Sequence, residues 1–237
     1  ARPAAGVLPA QASAKELCDR WFLAYAAVWI PCFAAIVGLE LYLAWGRWHY
    51  MAVCAGLAAP LLLQPVLAPS LTGEAGVDLL ERYSLKANVW IAVYSFLGNY
   101  WGTQYFYSIL GCRYTLPFLP SHQLNGVPVC MYFATHFYFC FYHALANQAH
   151  RWLLGGYQKD AWRTAFLVVW TLALSYTVAF LETFSIAAFP YYTFADRGKV
   201  YTIGSAFYAL YLVVSFPMFW RLGGTDGARH SVYDACL

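Results

Sequence analysis

Charge is what this chain has least of. Asp, Glu, Lys and Arg make up 11% of its 237 residues, while apolar residues make up 62%. So little charge excludes an ordinary soluble surface, and the apolar excess points to an integral membrane protein. The net charge of +3 is spread thinly and forms no basic run, which argues against a nucleic-acid partner and against a polybasic lipid patch. The seven cysteines include no CxxC pair, so neither a disulfide framework nor a metal site is expected. No Asn-x-Ser/Thr acceptor is present. Nothing near the start reads as a cleavable leader, so the first span is expected to be retained as an anchor. No internal repeat or low-complexity tract divides the chain, and the expectation is one domain over residues 1–237.

Aromatic residues are the excess. They form 20% of the chain, more than anchoring at the membrane interface needs, so many must face other helices or a ligand. A bilayer crossing takes about 20 apolar residues, and six stretches qualify: 21–45, 49–69, 85–111, 129–147, 162–188 and 201–219. The predicted fold is all-α, a polytopic helical membrane protein with a single bundle of about six transmembrane helices. Of the fourteen Lys and Arg residues, ten fall in the N-terminus, the second and fourth loops and the C-terminal tail, and four in the other loops. That bias predicts both termini in the cytosol. With this polarity, Asn99 and His136 lie near the membrane centre, Glu182 and Gln104 toward the far side, and His143 toward the cytosol, so one cavity can hold these polar groups.

Ionisable groups inside lipid are costly, which makes each a functional-site hypothesis. In the third span, Asn88, Ser95, Asn99 and Thr103 share one helical face, beside a GxxxG formed by Gly98 and Gly102 that suits close helix packing. In the fourth, His136, His143 and His150 recur every seven residues, with Asn147 on the same face. That spacing does not suit chelation from one helix, so acid-base work or hydrogen bonding is expected and no metal. In the fifth, Thr171, Ser175 and Glu182 share a face, and no basic residue lies within ten positions of Glu182. An unpaired carboxyl in lipid takes up a proton, which makes Glu182 a candidate proton donor. The segment FPYYTFADR that follows, with Tyr191 and Tyr192, places it in aromatic surroundings. A buried acid, a nearby base and aromatic walls suit a rearrangement through a carbocation, because aromatic faces stabilise cations. The substrate would be lipid-soluble.

Four blocks of this chain carry a resemblance. ERYSLKANVWIAVYSFLGNYWGTQYFYSILGCRYTLP (81–117), NGVPVCMYFATHFYFCFYHALAN (125–147), LALSYTVAFLETFSIAAFPYYTFADR (172–197) and AFYALYLVVSFPMFWR (206–221) resemble the cycloeucalenol cycloisomerase family of sterol biosynthesis, in the same order and spacing. The resemblance implies an isomerase of the endoplasmic reticulum membrane, or of the inner membrane in a bacterium. It would open the 9β,19-cyclopropane ring of cycloeucalenol to give obtusifoliol, with a sterol substrate, the lipid bilayer around it, no cofactor and no defined protein partner. Glu182 would then protonate the cyclopropane methylene, and His136 or His143 would act as base or polarise the acid. Asn99, Tyr100, Tyr142 and Asn147 would position the sterol and its 3-hydroxyl, with Tyr191 and Tyr192 as further sterol contacts. Gln104 and Val129 stand where plant members carry histidine, so neither position holds an obligatory base. The rival readings are a sterol 8-ene isomerase and a sterol or lipid binding or transport protein.

Overall fold

The computed structural model describes residues 12–187 and 189–223. Cys236 and both terminal segments, whose cytosolic placement the charge bias predicts, lie outside the described residues. The fold is mostly helical: α1 Ala14–Gly38, α2 Arg47–Leu67, α3 Tyr83–Leu97, α4 Thr103–Ser108, α5 Val129–Gly156, α6 Ala161–Ile186, α7 Arg197–Lys199 and α8 Ser205–Arg221. A π-helical turn, Gly98–Gly102, joins α3 to α4, and a second, Val200–Gly204, joins α7 to α8. The result is six long helical segments, one at each predicted span.

Their ends depart from prediction by several residues. Helix α1 starts at Ala14 rather than 21, because Ser13 caps it by accepting from the Glu16 amide at 3.2 Å. The charged first turns thus belong to the helix. Asp160 likewise caps α6, accepting from the Arg163 amide at 2.7 Å. Helix α5 runs on to Gly156, nine residues past the predicted end.

Four segments are long and apolar enough to cross a membrane: Ala14–Gly38, Arg47–Leu67, Ala161–Ile186 and Arg197–Arg221. Helix α5 is long enough but carries three histidines and two amides, and α3 breaks at its π-turn after 15 residues. These two carry two of the three polar stripes, and α5 packs against α1, α2, α3, α6 and α8. It is the hub of the bundle. The least lipid-like helix takes the position most shielded from lipid, which is what the cost of polar groups in hydrocarbon demands.

One end of the bundle is capped by short strands. Strand β1, Arg113–Tyr114, follows α4, and β2, Gln123–Leu124, pairs with β3, Val127–Pro128, just before α5. Strand β4, Tyr192–Thr193, follows α6 and pairs antiparallel with β1, placing Tyr114 opposite Tyr192. At the other end, the Lys15 ammonium donates to the carbonyls of Trp220 and Leu222. The start of α1 and the end of α8 therefore lie at the same end of the bundle.

The GxxxG resolves into two unlike glycines. A Cβ on Gly98 would stand 3.1 Å from the Tyr211 ring of α8, so its missing side chain admits that close approach. Gly102 faces open space.

Candidate functional site

Glu182 lies one turn before the end of α6, under the strand cap, and is partly buried. Its Oε2 accepts a hydrogen bond from the Tyr208 hydroxyl of α8 at 2.8 Å. Tyr142 of α5 turns to the same carboxyl. Tyr138 of α5 and Tyr114 of β1 lie within its electrostatic reach. One phenol, Tyr208, thus bonds the carboxyl, and three more from α5 and β1 lie near it. Among the described residues no Lys, Arg or His forms an ion pair with it.

The strand cap adds a second aromatic layer. Tyr192 meets Tyr114 at 4.6 Å between ring centroids, and Tyr191 packs edge-on to Tyr42 and Phe189. Burial, reinforced by Tyr107, Cys130 and Glu182, pushes the Tyr114 phenol well above its ordinary value, and burial also raises Tyr192. Both stay neutral and offer hydroxyls and ring faces rather than phenolate charge.

The histidines occupy a different side of α5. His136 is buried, with Nε2 at 3.0 Å from the Asn88 oxygen of α3. Asn88 spends its own amide on the Ser84 carbonyl at 2.9 Å, so its oxygen accepts and His136 Nε2 donates. Tyr142 and Tyr138 stand roughly 120° and 160° around α5 from His136, by helical periodicity. The sequence expected acid and histidine to share a cavity; the structure ties His136 to α3 and Glu182 to α8.

His143 is fully buried, with Nδ1 2.8 Å from the Phe139 carbonyl and Nε2 2.9 Å from the Ser215 hydroxyl of α8. A carbonyl only accepts, so Nδ1 carries the proton and Nε2 accepts from Ser215. Trp90, Phe139, Phe216 and Phe219 close round the ring. Both nitrogens are engaged and no face is open. His150 pairs with Thr171 of α6 at 3.1 Å.

The expected sterol-positioning amides are also spent between helices. Asn99 donates to the Thr135 hydroxyl of α5 at 2.6 Å and to the Ser95 carbonyl at 3.1 Å. Tyr100 stacks on Phe96, and its carbonyl accepts from Asn125. Asn147 donates to both oxygens of Asp19 in α1, at 3.2 and 3.1 Å. Asp19 has no exposed surface and also binds the Arg151 guanidinium at 2.6 Å. Of the expected contacts, Tyr142 alone faces Glu182 directly, with Tyr192 one layer behind.

Sequence reasoning missed Tyr208, Tyr138 and Tyr114, and also Asp19. A signal for Tyr208 is present: Ser205, Tyr208, Leu212 and Ser215 form a three-four-three stripe of α8, so its hydroxyl falls on the inward face. Asp19 went unread because the first span was started two residues after it.

No family model matches the chain, and no solved structure matches it. It is similar to a cycloeucalenol cycloisomerase of Arabidopsis thaliana, 41% identical over 209 residues that cover 86% of this chain and 72% of that protein. Likeness on that scale covers most of both chains, far more than one motif would, and the chain therefore belongs to the cycloeucalenol cycloisomerase family.

Proposed function

We propose that this chain is a sterol-biosynthetic isomerase that opens the cyclopropane ring of cycloeucalenol to give obtusifoliol, with Glu182 as the acid. The observation that carries the activity is the identity to the Arabidopsis protein of that name. What supports the acid is its surroundings: a carboxyl bonded by a phenol, with no ion-pair partner among the described residues, is set to give up a proton to a carbon skeleton. The reaction exchanges a ring C–C bond and a C–H bond for a new C–H bond and a new double bond, and needs no electron carrier.

Protonation of the methylene carbon C19 leaves positive charge at C9. The rings of Tyr138, Tyr142 and Tyr114 supply faces that hold such charge. The sterol lies against this wall, with Tyr191 and Tyr192 closing it from the strand cap. Asn99, Asn147, His136 and His143 hold the helices at their spacing, since their hydrogen bonds run from helix to helix.

The six helical segments cross the membrane as one bundle over residues 1–237. Both termini face the cytosol, and the membrane is that of the endoplasmic reticulum. The Lys and Arg bias and the meeting of α1 with the end of α8 support this arrangement.

The test is expression in a host membrane depleted of its own sterols, with cycloeucalenol supplied in deuterated water. Obtusifoliol carrying one deuterium in its C19 methyl is the expected product. Unchanged cycloeucalenol alongside inserted protein would refute the assignment.

A further inference from the structure

The isomerisation delivers one proton to C19 and removes another from C8. Residue type alone assigns the first task to a carboxyl and the second to a histidine. The structure separates those groups: His136 donates to Asn88 on the far side of α5, and His143 has both ring nitrogens engaged. The titratable groups that face Glu182 are Tyr208 of α8, Tyr142 and Tyr138 of α5, and Tyr114 of β1. In a neutral carboxylic acid the carbonyl oxygen is the stronger acceptor and the hydroxyl oxygen the donor. Tyr208 therefore makes Oε2 the carbonyl oxygen of the neutral acid and leaves the transferable proton on Oε1.

The geometry points to Glu182 as both acid and base, its carboxyl giving one proton and recovering another, with Tyr208 as the residue that positions it. This rests on the reading of the chain as cycloeucalenol cycloisomerase. In the first half, the Oε1–H bond breaks and its proton goes to C19. The electron pair of the C9–C19 bond becomes the new C19–H bond, so C19 is a methyl group and C9 carries the positive charge. In the second half, the C8–H bond breaks, its electron pair forms the C8=C9 double bond, and its proton goes to the Glu182 carboxylate. The enzyme ends as it began, with nothing oxidised or reduced. C8 and C19 are both bonded to C9, so one carboxyl serves both without leaving its place. While it is ionised, the Tyr208 hydrogen bond stabilises it.

The test is a pH profile of kcat/KM for obtusifoliol formation by the full chain in proteoliposomes, for wild type, Y208F and E182D. One group that must start protonated, with no second group that must start neutral, gives a fall on the alkaline side only. Y208F is expected to lower kcat by about 100-fold, the cost of a misplaced reacting group, at unchanged KM, and to move that alkaline limb. E182D keeps a carboxyl and is expected to retain the single limb at lower kcat, which separates loss of chemistry from loss of folding. A bell-shaped wild-type profile, with an acid limb, would overturn the one-carboxyl cycle. A Y208F profile that superimposes on wild type would overturn the role of Tyr208. No obtusifoliol from inserted wild type would instead overturn the functional reading itself, and with it this proposal.

Discussion

Two carboxyls shielded by the bundle, Asp19 and Glu182, are treated in opposite ways. At the end where α1 begins, Asp19 has no exposed surface and is met by the Arg151 guanidinium at 2.6 Å and by both N–H···O contacts of Asn147. Under the strand cap, Glu182 is met by phenols and, among the described residues, by no cation. A guanidinium and an amide on Asp19 favour the form without a proton. A carboxyl among neutral hydroxyls keeps one. What differs between these two carboxyls is the partner each is given.

The largest effect is expected where the partner is weakest. Glu182→Gln should lower turnover by about 10²–10⁴-fold, the range for loss of a general acid, measured as obtusifoliol formed per inserted molecule. Its thermal unfolding in detergent should stay near wild type, because a glutamine still accepts from Tyr208. Wild-type turnover in that variant would erase the distinction between the two carboxyls.

Asp19→Ala should do the reverse. Removing one partner of a buried pair leaves Arg151 and Asn147 unmatched, at about 3 kcal/mol of stability, read from unfolding in detergent, while turnover per folded molecule is retained. Replacing both partners sharpens the point. Asp19→Leu with Arg151→Met should be less destabilised than Asp19→Leu alone, because no uncompensated charge remains. A double variant worse than the single would show that the pair itself, rather than the avoidance of an orphan charge, holds that end together.

The smallest effect concerns the packing between the two sites. A methyl at Gly98 would press on the Tyr211 ring, which meets the Tyr94 ring at a tilt, 4.2 Å between centroids. Gly98→Ala should cost about 1–3 kcal/mol of stability by overpacking, whereas Gly102→Ala, facing open space, should cost nothing measurable by the same unfolding assay.

Much of the architecture was legible in the linear pattern. Each of the six predicted spans coincides with a long helical segment, and the family resemblance read from four sequence blocks agrees with the relative of 41% identity. Hydropathy is a local property, summed over about 20 residues, and it survives folding unchanged. The stripes were legible too: Asn88 and Asn99 do face α5, and Thr171 does meet His150. Helix ends were read less well, because caps such as Ser13 and Asp160 extend helices beyond the apolar run.

By itself the sequence determined that this is a membrane protein, where its helices run, and that Glu182 is an acid with no basic neighbour along the chain. Only the tertiary structure decided who meets whom. It set Tyr208, 26 residues away, on the Glu182 carboxyl, Asn88, 48 residues away, on His136, and Arg151, 132 residues away, on Asp19. The physical reason is that periodicity gives the face a residue occupies on its own helix, while the partner on that face depends on how the helices pack against α5.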